Sequence, residues 1–295
     1  RKCWVFNHLN KAGGSTVKHM LIPWIAENNV SRGLYDSREW QGGKGFADVF
    51  LDSNYTIMWG GYTEGLRPHG SGDCTWFTVF RHPIPRLVSA YFYCKKSPRD
   101  QLCASKAFAA KDHDLLSFAE HWGNFGLRQF SLAFVLPEDM PDADQEDRCS
   151  GYSAKKPCLG WYRLKLYLEG LHAAERAEAS TLECKALKDV VIYKLLQPAE
   201  EILSKKYAAV GILEKWDASL LLFNNALQLQ DYDWPTAYDR VGKSNRDGKF
   251  RKQEEEALLQ AWIDSELKKY LWLDLLLYDH AVRVHDRQVA QYGLE

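Results

Sequence analysis

Val5-Phe6-Asn7-His8-Leu9-Asn10-Lys11-Ala12-Gly13-Gly14-Ser15-Thr16 is the stretch that decides the fold of this chain. The apolar residues around Trp4, Val5 and Phe6 read as a short buried strand over 3–9. The run stops at a lysine, two glycines and two hydroxyl residues. Residues 17–27 then read as a helix, with Pro23 as a kink or an end. Glycines let main-chain N–H groups approach a ligand closely, a helix start adds unpaired donors, and a lysine adds a point charge. Lys11, Ala12, Gly13, Gly14, Ser15 and Thr16 are therefore read as a phosphate cradle, with a plain βα turn as the alternative. In the usual nucleotide-triphosphate loop Gly-Lys-Ser/Thr closes the motif; here the lysine comes first.

Outward from this loop, strands are expected at 55–59, 74–81, 190–196 and 208–213. Residues 74–81 are the clearest, being nearly all β-formers. Helices are expected from Pro83 to about 94, then at 114–122, 162–179, 198–207, 215–229, 254–269 and 273–288. Residues 33–45 are glycine-rich and polar and read as loop. Residues 137–157 are acidic, broken by Pro and Gly, and read as a surface loop or insertion. Strands alternating with helices predict an α/β domain over 1–295, with a mostly parallel central sheet flanked by helices.

Length and composition suit that architecture. The chain has 295 residues, of which 46% are hydrophobic and 26% charged, enough for one large domain or two small ones. The net charge of −1 supplies no global field for nucleic acid or an acidic polymer, so an anion site must arise from local clustering. No apolar run reaches the ~18 residues of a membrane span. The nearest, 270–278, is interrupted by Asp274. No signal peptide is visible at Arg1, and a domain cut from a longer protein is expected. Among the seven cysteines, the pairs Cys94/Cys103 and Cys149/Cys158 have the same short spacing and read as small disulfide loops, with scattered buried thiols as the alternative. Neither pair has zinc-site spacing. Asn29-Val30-Ser31 and Asn54-Tyr55-Thr56 have the form of glycosylation acceptors.

A second anion signal follows the best strand. Arg81 stands at its end, before Pro83, and Ser89 lies in the next helix with Arg86 between them. Ligands of open parallel sheets bind at the carboxyl ends of strands, so Lys11 and Arg81 are expected to face one crevice. Arg81 suits a bidentate grip on phosphate, and the Ser89 hydroxyl can add a hydrogen bond.

With these residues in view, Lys11-Ala12-Gly13-Gly14-Ser15-Thr16 resembles the 5′-phosphosulfate loop of sulfotransferases. Arg81-His82-Pro83-Ile84-Pro85-Arg86-Leu87-Val88-Ser89 resembles their 3′-phosphate motif. The likeness is nearest to the Golgi carbohydrate branch, the heparan sulfate 2-O- and 6-O-sulfotransferases. It extends through Asn124-Phe125-Gly126-Leu127-Arg128-Gln129, Val210-Gly211-Ile212-Leu213-Glu214 and Leu273-Asp274-Leu275-Leu276-Leu277-Tyr278-Asp279-His280-Ala281. The resemblance implies a sulfotransferase fold like that of the P-loop NTPases and a donor, 3′-phosphoadenosine 5′-phosphosulfate (PAPS), with 3′-phosphoadenosine 5′-phosphate as product and no metal. It implies transfer of the sulfuryl group to a hydroxyl, with a glycan as acceptor. It also implies the Golgi lumen as location, with a membrane anchor outside this chain.

In that reading Lys11 neutralises charge on the leaving phosphate, the loop holds the 5′-phosphate, and Arg81 with Ser89 holds the 3′-phosphate. The family's acceptor base is a histidine in a strand-end segment matching Met58-Trp59-Gly60-Gly61-Tyr62-Thr63-Glu64, where this chain has Trp59. Glu64 and His69 are the nearest titratable substitutes, and His8 is a third. The basic loop holding Lys243, Asn245, Arg246, Lys249, Arg251 and Lys252 reads as a donor cover or a solvated charge run, with Gly242 and Gly248 as hinge points. Trp40, Trp59 and Trp161 read as core residues or as stacking platforms for an acceptor. The competing readings are a tyrosine or small-alcohol sulfotransferase, a nucleotide kinase, and a nucleotide-binding module without catalysis.

Overall fold

The computed structural model describes residues 3–28, 30, 32–34, 57–61, 63–64, 74–98, 103, 114–131, 189, 192–229, 232–241 and 251–294. Within them, five strands form one sheet: β1 Trp4–Asn7, β2 Arg32–Leu34, β3 Ile57–Gly60, β4 Thr75–Phe80 and β5 Tyr207–Ile212. Their order is β2-β3-β1-β4-β5, and every neighbouring pair is parallel. Parallel strands with both faces covered read as continuous apolar runs, which is why β1, β3 and β4 stood out.

Side-chain alternation divides the core between the two faces. On one face Trp4, Phe6, Ile57, Trp59, Phe77, Val79 and Ala209 pack under α1 Gly14–Glu27, α6 Trp216–Leu227 and α7 Trp234–Val241. On the other, Val5, Met58, Trp76, Phe80, Val210 and Ile212 pack under α4 Phe125–Ser131, α5 Gln197–Lys206 and α10 Trp272–Gln291. A third cluster joins α2 Pro83–Lys96, α3 Leu115–Trp122, α8 Arg251–Ile263 and α9 Ser265–Lys269. No described helix is long and apolar enough to cross a membrane.

The connections set up the site. From β1 the chain passes through α1 to β2 at one edge, returns to β3, then crosses β1 to reach β4 and β5 at the other edge. The direction of travel therefore reverses between β1 and β4, and the carboxyl ends of these two strands are where an open parallel sheet binds its ligands.

Several expectations need correction. Residues 192–196 are not a strand; Ile192–Leu196 is a π-helical turn running into α5, with Leu195 and Leu196 buried. A short apolar run does not distinguish strand from helix by itself. β2 runs from Arg32 into the first two residues of the glycine-rich segment read as loop, and α7 was not anticipated. The helix expected at 254–269 is two helices, because Asp264 caps α9 by accepting from the N–H groups of Glu266 and Leu267. Pro23 lies within α1 without ending it.

Cys94 and Cys103 form the expected disulfide. A second, Cys3–Cys74, closes a loop of sequence separation 71 and ties the start of β1 to the start of β4. Residues 137–157, Cys149 and Cys158, both glycosylation acceptors, Trp40, Trp161 and the helix expected at 162–179 lie outside the described residues.

Candidate functional site

The loop between β1 and α1 takes its shape from two left-handed residues, Lys11 (φ 65°) and Gly13 (φ 86°). Glycine adopts that conformation without steric cost; a lysine there is uncommon and marks a constrained position. Gly14 is required for a different reason. A Cβ at Gly14 would stand 1.8 Å from Cδ2 of the His8 ring, so the imidazole occupies the space a side chain would need. His8 stacks in turn on Phe6 (centroids 5.9 Å). Burial first, then Lys18 and Lys11, pulls the His8 pKa down to about 3. The ring is thus a neutral wedge under the loop and a weak base.

Ala12 is buried, Thr16 half-buried and Ser15 exposed. At the start of α1 the N–H groups of Thr16 (3.0 Å) and Val17 (3.3 Å) donate to the Gly13 carbonyl, so the N–H groups of Gly14 and Ser15 are the ones a helix start offers to a ligand. Lys11 Nζ sits 4.1 Å from the ring centroid of Tyr93 on α2.

Arg81 leaves the end of β4 and reaches the same loop: its Nη1 donates to the carbonyl of Lys11 at 3.4 Å. The two motifs, 70 residues apart, therefore meet at the switch point of the sheet. Burial lowers the Arg81 pKa, while Glu214 and Glu254 oppose that shift; the guanidinium stays charged. His82 caps α2 through Nδ1, which accepts from the N–H of Ile84 at 3.3 Å. Glu214 joins this region to α10, accepting from the His82 N–H (2.9 Å) and from the Tyr278 hydroxyl (3.0 Å). Ser89 is half-buried on α2, two turns past Arg81.

A glutamine links the loops after β1 and β3. Gln129 Nε2 donates to the carbonyls of Gly61 (2.9 Å) and His8 (3.4 Å), and its Oε1 accepts from the N–H of Asn10 (3.3 Å). Beneath it lies a buried polar network. Asn7 Nδ2 donates to the Tyr207 hydroxyl at 2.9 Å, Tyr207 donates to Glu64 Oε1, and Thr63 donates to Asn7 Oδ1 at 3.4 Å. Asn7, Thr63 and Glu64 are fully buried. Trp59 is 6% exposed in the core beside α1, which makes it a packing residue rather than an acceptor platform.

The sequence-predicted residues thus divide. Lys11 to Thr16 and Arg81 come together, and Ser89 stands on the adjoining helix. Glu64 lies beside the same strand ends with its carboxylate engaged by Tyr207. His69, Lys243, Asn245 and Arg246 lie outside the described residues. Sequence reasoning missed the roles of Asn7, Tyr93 and Tyr207. Only the tertiary register brings Tyr207 to Asn7 and Glu64, so no local pattern marks it. Among the described residues no group of three or more His, Cys, Asp and Glu side chains is arranged to hold a metal ion. No model of a known protein family matches the chain, and no curated protein matches it.

Proposed function

We propose that this chain is a sulfotransferase that moves the sulfuryl group of 3′-phosphoadenosine 5′-phosphosulfate to a hydroxyl, with a glycan as acceptor. One observation carries the reading: the Arg81 guanidinium reaches the Lys11 carbonyl across the β1–β4 switch point, so the two cationic motifs lie side by side at the strand ends. A ligand with phosphates at both ends matches this pair better than a triphosphate chain does. The lysine-first loop and the all-parallel sheet support reading the fold as a sulfotransferase version of a P-loop-like one.

The cradle fits an anion in detail. Gly13 supplies the left-handed turn, Gly14 keeps the backbone bare above His8, and the start of α1 presents N–H groups. The donor would supply an electrophilic sulfur and a phosphate leaving group. Lys11 would offset charge growing on that leaving group, Ser15 and Thr16 would add hydroxyl hydrogen bonds, and Arg81 with Ser89 would hold the 3′-phosphate. Lys243, Asn245 and Arg246 are assigned to the donor cover.

Glu64 is the base favoured here, because it is a buried carboxylate in the turn after β3, in the segment where the family places its histidine. His69 is the second choice. The engagement of Glu64 by Tyr207 favours a second reading, a nucleotide-binding module without transfer. The Golgi lumen is the proposed location; the two disulfides are compatible with an oxidising compartment.

The test is an acceptor screen with labelled donor, spanning glycans, tyrosine peptides and small alcohols. Label on a glycan supports the proposal, and label on tyrosine or a small alcohol moves the acceptor class. Donor affinity with no transfer to any acceptor supports the binding module.

A further inference from the structure

A serine, a histidine and a glutamate meet where α5 packs on α10. Glu200 and Ser204 lie one helical turn apart on α5, and His280 of α10 spans them. Ser204 Oγ is 2.8 Å from His280 Nε2, and His280 Nδ1 is 3.5 Å from Glu200 Oε1. The Glu200 carboxylate is an acceptor, so the tautomer with the proton on Nδ1 satisfies it and offers the Nε2 lone pair to the Ser204 hydroxyl. The His280 side chain is 17% exposed, whereas Ser204 is open to solvent. Burial lowers the His280 pKa, opposed by Glu200, while Arg283 and Arg287 lower it further. The imidazole is therefore neutral near pH 7 and able to accept a proton.

A hydroxyl within hydrogen-bond reach of a base that a third group orients is the signature of an activated nucleophile. A pin between two helices would account for the His280–Glu200 pair, but does not require a solvent-open hydroxyl on Nε2. We propose that Ser204, His280 and Glu200 form a second, nucleophilic centre that is acylated by activated esters. Ser204 Oγ bonds to the ester carbonyl carbon as its proton passes to His280 Nε2. The carbon–oxygen bond to the alcohol then breaks, and the alcohol leaves with the proton from His280. Water, deprotonated by His280, releases the acid and returns the proton to Ser204. The N–H of Ser204 lies within the helix ladder of α5, so this centre has no main-chain oxyanion hole there, and Arg283 and Arg287 are the nearby cations. That restricts it to esters with good leaving groups, and it makes acyl-serine breakdown slow.

The experiment treats the whole chain with p-nitrophenyl acetate, following p-nitrophenolate release and mapping the acetylated peptide. The expected result is one acetyl group on Ser204, none on that peptide in Ser204→Ala, and a burst at least about a hundredfold slower in His280→Gln. Saturating 3′-phosphoadenosine 5′-phosphate leaves the burst unchanged, which separates this centre from the crevice. Acetyl found only on lysines such as Lys205 or Lys206, or a burst of equal rate in Ser204→Ala, overturns the proposal.

Discussion

Asp274 binds the guanidinium of Arg86 in a fully buried ion pair, with side-chain exposures of 3% for Arg86 and 2% for Asp274. The same carboxylate accepts from the N–H groups of Gly126 (3.1 Å) and Leu127 (2.9 Å), the opening donors of α4. Asn124 returns the arrangement, its Oδ1 accepting from the N–H groups of Leu273 (3.0 Å) and Asp274 (3.1 Å) at the start of α10. Two helices thus cap each other, and Arg86 fastens both to the helix that follows Arg81. The pair is evidence of a defined arrangement rather than of a large net stabilisation, because desolvation offsets most of its attraction.

Removing one partner has a different consequence. Asp274→Ala leaves the Arg86 charge buried and α4 uncapped, so urea unfolding should show a loss of about 3–5 kcal/mol. A loss under about 1 kcal/mol would mean the pair is solvated in solution.

Gly14→Ala should weaken nucleotide binding, because its Cβ would displace the His8 ring from under the loop. The expected stability loss is about 1–3 kcal/mol, as for an overpacked core. The double change His8→Ala with Gly14→Ala should recover much of it, since the clash is then gone. No recovery would show that Gly14 is needed for its backbone alone.

The depressed pKa of His8 makes a signed prediction. The unfolded chain binds a proton on this imidazole near its ordinary value of 6.5, whereas the folded chain does so only near 3. Stability from this group is therefore complete above about pH 6.5 and is lost as the pH falls toward 3. His8→Phe should flatten the decline in unfolding midpoint between pH 6.5 and 4 relative to the unaltered chain. Parallel pH profiles for the two proteins would contradict the burial of His8.

The sheet was largely legible because β1, β3, β4 and β5 are short, mostly apolar runs, β3 and β4 ended by glycine and by Arg81, and helices follow at α/β spacing. The Lys11 loop and Arg81 were legible for the same reason: each follows a clear strand. What escaped the sequence depends on register across the sheet. Cys3 and Cys74 face each other because Trp4 pairs with Thr75. Asp274 read as an interruption in an apolar run, yet it is the acceptor that joins three helices. Tyr207 reaches Glu64 through a side-chain contact that no spacing encodes. The split at Asp264 needed only a capping signal, with Ser265 and Glu266 following it, and was available in the sequence.

The most direct test of the central claim is calorimetric titration of 3′-phosphoadenosine 5′-phosphate into the whole chain and into Arg81→Ala and Lys11→Ala. A single saturable site is predicted. Arg81→Ala should weaken it about ten- to a hundredfold, in line with about 1.5–3 kcal/mol for hydrogen bonds to a charged group. Lys11→Ala should also weaken it, and ATP should compete poorly. No binding, or binding that neither substitution alters, would contradict the convergence of the Lys11 loop and Arg81 on one bisphosphorylated nucleotide.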